Sequence, residues 1–295
     1  MQIWQPNCNN GRTWICRQTP FGPGEESIDS PRVPETGVSF WTFLAGHGSG
    51  SGLGYNAYVI VLSIDTCDSR GSVALLRDDS VVGLIPHETK AEYSSWLLPA
   101  VNSLLEKAGF SMKQVHGYAV AAGPGSFTGV RVGLTTVKAW AEVYGMPVAA
   151  ISRLQAIAGE VGGSLTYVAA FADAQRGQVF GAVYRKDGED LIGVGEEMVI
   201  APGKFIETAV ELAGGERIAW ASPDHGLVVM EPAWKEREKR GESLEEVSAT
   251  LAAVIGRIGL RRFGEGKATD PLALDANYVR RSDAEIFWKG AAHGH

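Results

Sequence analysis

The sequence predicts an α/β protein of two related lobes, on three observations. The chain holds 295 residues, enough for two small domains with hydrophobic cores. Val59-Ile60-Val61-Leu62-Ser63-Ile64 is a short apolar, β-branched run of the kind that makes a buried strand. Strands followed by helices then recur twice along the chain, a pattern that builds two α/β units.

The first strand ends at Asp65. Ser72-Val73-Ala74-Leu75-Leu76 and Val81-Val82-Gly83-Leu84-Ile85 follow it, and Arg77-Asp78-Asp79-Ser80 between them suits a hairpin turn. Beyond Thr89, Tyr93, Trp96, Leu97, Ala100, Val101, Leu104, Leu105 and Ala108 recur at helical spacing, predicting an amphipathic helix that ends at Gly109. Pro99 lies inside it and should kink it. A strand over 118–122 leads into Gly123-Pro124-Gly125-Ser126-Phe127-Thr128-Gly129, and a second helix runs to about Tyr144 with Thr128 as its N-cap.

A second unit opens after Pro147-Val148-Ala149-Ala150, with strands over 167–172 and 179–184 around the turn Gln175-Arg176-Gly177. Ser243-Leu244-Glu245-Glu246 has the spacing of a capping box and is expected to open a helix through Val247, Leu251, Val254, Ile255 and Ile258. The lobes are therefore placed at 58–151 and 152–282, with a tail at 283–295. Residues 1–57 read differently, being rich in proline and glycine with a Gly-Ser stretch over 46–54. They are expected to be a disordered or non-native extension, although Trp4, Trp14 and Trp41 leave a docking peptide open.

Composition excludes several classes. Hydrophobic residues make up 45% and charged residues 21%, and no apolar run nears the roughly 20 residues of a membrane helix. A net charge of −7 argues against a protein that wraps nucleic acid alone, because phosphate binding needs clustered Lys and Arg. Cys8, Cys16 and Cys67 form no paired framework, and the first twenty residues lack a signal-peptide core, so a reducing cytoplasm is the expected location. His47, His87, His116, His225, His293 and His295 are scattered without HxxxH or HxxE spacing, so no metal site is expected.

Three places are candidates for function. Asp65-Thr66, at a strand end before a hairpin, reads either as a phosphate-loop carboxylate or as an aspartate capping a strand. The loop 123–129 feeds glycines and a Ser/Thr pair into a helix N-terminus, which suits an anion; a tight turn for close helix packing reads equally well. It is no Walker A loop, dinucleotide fingerprint or nucleophile elbow. Gly129 and Gly133, with Thr136 and Trp140, make a small-residue helix face that suits either a partner or the protein's own sheet.

These residues resemble a known family. Val61-Leu62-Ser63-Ile64-Asp65-Thr66-Cys67, Leu97-Leu98-Pro99 and, most specifically, Gly123-Pro124-Gly125-Ser126-Phe127-Thr128-Gly129-Val130-Arg131-Val132-Gly133 are similar to the TsaB (YeaZ) family. Asp173-Ala174-Gln175-Arg176-Gly177-Gln178 and Asn277-Tyr278-Val279-Arg280 are similar to its later motifs, with Gln178 and Asn277 as departures. The resemblance spans about 58–282. It implies an actin/Hsp70/sugar-kinase-like, ribonuclease H-like fold and a non-catalytic scaffold in tRNA threonylcarbamoyladenosine synthesis. It also implies assembly with the catalytic paralogue TsaD and the ATPase TsaE, self-association, tRNA reached only through the complex, and no cofactor beyond ATP or ADP at the complex level. The partner surface it implies comprises Trp96, Leu97 and Val101 of the first helix, the loop Gly123, Pro124, Gly125, Ser126, Phe127 and Thr128, and Gly129, Arg131, Gly133, Thr136 and Trp140 of the second. Asp65 and Thr66 would be a vestigial phosphate loop.

Two enzyme readings compete. A sugar-kinase-like phosphotransferase would use Asp65 near phosphates and needs glycine-rich loops in the second lobe, where Gly214-Gly215 is the candidate. A metallopeptidase of the glycoprotease type needs a metal-ligand pair that the histidine spacing does not supply.

Overall fold

The computed structural model describes residues 58–279; the extension 1–57, with its tryptophans and with Cys8 and Cys16, and the tail 283–295 lie outside the described residues. Strand β1 (Ile60–Asp65) is buried at every position, as a continuous apolar run requires when both faces of a sheet are covered. It pairs antiparallel with β2 (Ser72–Arg77), which turns through Asp78 into the antiparallel edge strand β3 (Ser80–Pro86). Helix α1 (Tyr93–Ala108) ends at Gly109 in the left-handed region, where glycine carries no Cβ penalty, and contains Pro99. After it come β4 (Gly117–Ala121), helix α2 (Phe127–Tyr144) and β5 (Val148–Ile151), completing a sheet in the order β3-β2-β1-β4-β5.

Helix α3 (Arg153–Gly159) leads to the second sheet. Strands β6 (Tyr167–Asp173), β7 (Val179–Asp187), β8 (Asp190–Gly193) and β9 (Met198–Ile200) are followed by α4 (Pro202–Leu212), β10 (Ile218–Ser222), α5 (Gly226–Val229), α6 (Pro232–Lys239) and β11 (Leu244–Glu246). The order is β11-β10-β6-β7-β8, with β6–β7 antiparallel and β10 and β11 parallel to their neighbours. Counting from the first strand of each unit, this is the first sheet's order again, with β8 and β9 sharing the third place along β7. The chain thus has the duplicated, two-lobed actin/Hsp70/sugar-kinase-like fold.

Period-two alternation shows how the layers stack. In β6, Val168, Ala170 and Ala172 join the large core, while Ala169 and Phe171 face a second cluster with Phe205 of α4, Trp220 and Trp234. The last helix, α7 (Ala252–Gly264), packs on the first sheet: a Cβ at Gly256 would meet Leu76 and Ser63, and one at Gly259 would meet Ala119. Gly133 of α2 approaches Ile64 and Val120, their neighbours in sequence, so α2 and α7 cover opposite faces.

Three expectations are corrected. The N-cap of α2 is Ser126, not Thr128, and its hydroxyl accepts the Gly129 N–H. Residues 244–246 pair with β10 as a strand; no helix opens at Ser243, and α7 starts at Ala252. α7, assigned to the second lobe by its place in the chain, buries its apolar stripe and two glycines on the first.

Candidate functional site: the cleft between the lobes

The two sheets bring the C-terminal ends of β1 and β6 to opposite walls of a cleft of about 880 Å³, lined by Asp68, Arg70, Arg153, Asp173, Arg176 and Asp224 among others. Asp68, Arg70, Arg153 and Asp224 are bonded to one another through their side chains.

Asp65 is fully buried, and its carboxylate accepts Arg153 Nε at 3.2 Å and the Cys67 N–H at 2.9 Å. Arg153, the first residue of α3, is buried too and places Nη2 2.7 Å from Asp68 Oδ2. Arg70 bonds the same oxygen at 2.7 Å, then crosses to the second lobe, where Nη1 lies 2.8 Å from Asp224 Oδ1. Asp224 also accepts the Asp173 N–H at 2.9 Å. Asp65, Arg153, Asp68, Arg70 and Asp224 therefore form one chain of alternating charge that joins the lobes. Burial pushes the Asp68 carboxyl up, but Arg153 and Arg70 outweigh it and hold the group below its usual value of 3.8. Burial first, and Asp65 second, push the Cys67 thiol well above 9.0, so it stays protonated at neutral pH.

Thr66 is spent in the same way: its hydroxyl donates to Gly129 O at 2.7 Å. In the glycine loop the Ser126 N–H donates to Cys67 O at 2.6 Å, and Gly123 O accepts the Arg153 N–H at 2.7 Å. A Cβ at Gly125 would overlap Cys67 O. The loop is therefore a tight turn that packs closely on Cys67, and Asp65 and Thr66 are held by internal bonds. Gly214 and Gly215 have positive φ and bond back to Glu211 and Val210 at the end of α4, a helix cap away from the cleft. Among the described residues no three His, Cys, Asp or Glu side chains converge on a metal position. None of the described helices is long and apolar enough to cross a membrane.

The residues expected on a partner surface divide. Leu97, Val101, Gly129 and Gly133 are buried in the protein's own core, because the glycines let α2 press onto β1 and β4. Thr136 bonds back to Val132 O at 2.8 Å, and Trp140 rests on Tyr118. Trp96 packs against His87 and Tyr93. Gly123 and Pro124 are buried and Gly125 half-buried, while Ser126, Phe127, Thr128 and Arg131 remain exposed. Sequence reasoning missed Leu98 and Val143, large apolar side chains exposed on α1 and α2. It also missed Arg153 and Arg70; the one available signal was an arginine inside the apolar stretch from Ile151 to Ile157.

Fold and cleft define a member of the actin-like class in which an ion pair crosses the cleft between the lobes. A family model described as TsaD, tRNA N6-adenosine threonylcarbamoyltransferase, matches residues 74–237. The Escherichia coli tRNA threonylcarbamoyladenosine biosynthesis protein TsaB is 31% identical over 239 residues, covering 78% of this chain and 96% of that protein. Its Bacillus subtilis namesake is 35% identical over 125 residues, 42% of this chain and 55% of that protein. A crystal structure from Pseudomonas aeruginosa, described as similar to peptidase YeaZ, superposes with a TM-score of 0.62 at 25% identity, covering 75% of this chain and all of that one. The chain belongs to the TsaB family of tRNA threonylcarbamoyladenosine biosynthesis proteins, within the wider family that the TsaD model describes.

Proposed function

We propose that the chain is a non-catalytic, partner-binding subunit of the tRNA N6-adenosine threonylcarbamoyltransferase assembly, docking onto TsaD, with TsaE as the ATPase of the complex. The observation that carries this reading is the internal ion chain: Asp65, the one carboxylate at the end of β1, is sealed by Arg153 and has no face left for a magnesium–phosphate group. Catalysis then belongs to the partner, and any ATP or ADP enters at the level of the complex. The exposed apolar side chains Leu98, Phe127 and Val143 on α1 and α2 support a docking role for the outer helix layer, on which a second copy of the chain would also fit. The acidic balance supports tRNA being held by another subunit.

The test is co-purification with TsaD and TsaE followed by a threonylcarbamoyl-transfer assay with and without this chain. Transfer should require the chain alongside TsaD, and the chain alone should neither transfer nor hydrolyse ATP. Steady hydrolysis by the isolated chain that vanishes in a correctly folded Asp65→Asn variant would overturn the reading.

A further inference from the structure

The segment after α7 crosses the glycine-rich loop and is fastened there at two points. The Asn277 N–H donates to Ala122 O at 2.7 Å, and its side-chain amide donates to Glu197 Oε2 at 2.6 Å. Glu197 is itself held by the hydroxyls of Ser152 and Tyr184. The crossing is close: Gly123 has a φ of 107°, and a Cβ there would lie 2.9 Å from Asn277 O.

The next residue, Tyr278, stacks on Phe127 with ring centroids 5.1 Å apart. The Arg131 guanidinium lies 3.6 Å from the centre of the Phe127 ring, and its Nε donates to the Tyr278 hydroxyl at 2.7 Å. This cluster is not core packing, since Phe127 is 38% and Tyr278 42% exposed. The terminal Nη nitrogens of Arg131 have no hydrogen-bond or ion-pair partner among the described residues.

A surface arginine normally gives up much rotamer freedom on binding, which subtracts from affinity. Here the ring stack and the Nε bond have already fixed the side chain, while the two nitrogens that grip a carboxylate in parallel are unspent. Flat aromatic surface beside a fixed arginine is also the composition of an interface anchor. One guanidinium on a chain of net charge −7 is a poor match for a phosphate backbone, which needs several cations together.

We propose that Phe127, Arg131 and Tyr278, held by the Asn277 strap, form a pre-organised anchor that receives an Asp or Glu side chain of the partner subunit. The proposal rests on the partner-binding function above and names what the partner inserts. Asn277 is a positioning residue: it reaches the partner only through Tyr278 and Arg131.

The experiment titrates purified TsaD with the full chain and its variants by calorimetry, with thermal melting of each variant alone. Arg131→Met should weaken association about ten- to a hundredfold, the range expected for a charge-assisted bond. Arg131→Lys should recover only part of the loss, since it restores the charge without the fork. Tyr278→Phe keeps the stack and should cost about three- to tenfold, and Asn277→Ala a comparable loss; none of these should lower the melting temperature of the free chain appreciably. Wild-type affinity in Arg131→Met overturns the anchor while leaving the partner-binding function standing. A wild-type chain that does not bind TsaD overturns both. Unchanged TsaD affinity with weakened binding to an RNA hairpin would assign Arg131 to phosphate instead and also overturn the proposal. Should Arg131→Met melt early, Tyr278→Phe and Arg131→Lys decide the outcome.

Discussion

At the scale of single residues, Arg153 shows why position in the chain can locate a charged group without revealing its role. A buried guanidinium is costly, and only its two carboxylate partners offset that cost. Arg153→Met should therefore destabilise the chain by about 3–5 kcal/mol in urea unfolding, because Asp65 would be left buried and unpaired. Converting Asp65 to Asn in the same chain should recover part of the loss, as expected for directly coupled partners. Asp68 adds a pH dependence. Its folded carboxyl titrates below 3.8, so below that value the unfolded chain binds more protons than the folded one. The stabilisation is complete above the unfolded pKa and lost as pH falls toward the folded one, and Asp68→Asn should flatten that acid arm of the stability curve. The sequence shows Asp65 at a strand end, but its partner lies 88 residues further along, so no local pattern distinguishes a sealed carboxylate from one facing phosphate.

At the scale of elements, α2 owes its closeness to the first sheet to Gly129 and Gly133. A Cβ at Gly133 would stand 2.5 Å from Thr66 Oγ1, a side-chain atom that can yield only by giving up its bond to Gly129 O, whereas one at Gly129 would overlap the Thr66 carbonyl oxygen, a backbone atom directly after β1. Gly133→Ala should cost about 1–3 kcal/mol of stability in the free chain and Gly129→Ala more, read as melting temperatures without any partner present. Normal melting of both variants would return these glycines to the outer surface. The small-residue spacing was legible in the sequence; the direction in which it faced was not, because a helix can press its glycines onto a sheet or onto another protein. Longer elements were read correctly where periodicity ran over many residues, as in α1 and α2. The segment 244–246 was misread because three residues carry no periodicity, and what makes them a strand is pairing with Trp220, Ala221 and Ser222 of β10. Ser126 and Thr128 are both residue types that cap helices; the Ser126 hydroxyl, which accepts the Gly129 N–H, settles which one stands at the helix start.

At the scale of the whole molecule, the two lobes repeat one strand order, yet they are not independent. β6 and β7 send Val168, Ala170, Ala172, Ala182 and Tyr184 into the same hydrophobic cluster that holds Ile60, Leu62 and Ile64 of β1. α7 and α3 bridge the sheets: α7 packs on β1, β2 and β4 and also touches α3, which lies on β6 and β7. Two lobes with separate cores would be free to unfold in sequence. Here, unfolding the second would strip apolar cover from α3 and, through it, from α7 and the first. The described residues should therefore melt in one transition, with calorimetric and van't Hoff enthalpies equal. The Arg70–Asp224 link contributes little to that cooperativity, because Arg70 is 41% exposed and exposed pairs are worth roughly 0–1 kcal/mol. Arg70→Ala should therefore leave a single transition at a slightly lower temperature while raising hydrogen exchange at Asp173, whose N–H bonds to Asp224, and in the adjoining cleft wall. Two resolved transitions in the wild-type chain would mean that the shared cluster does not couple the lobes; two only in Arg70→Ala would mean that the ion chain does the coupling instead.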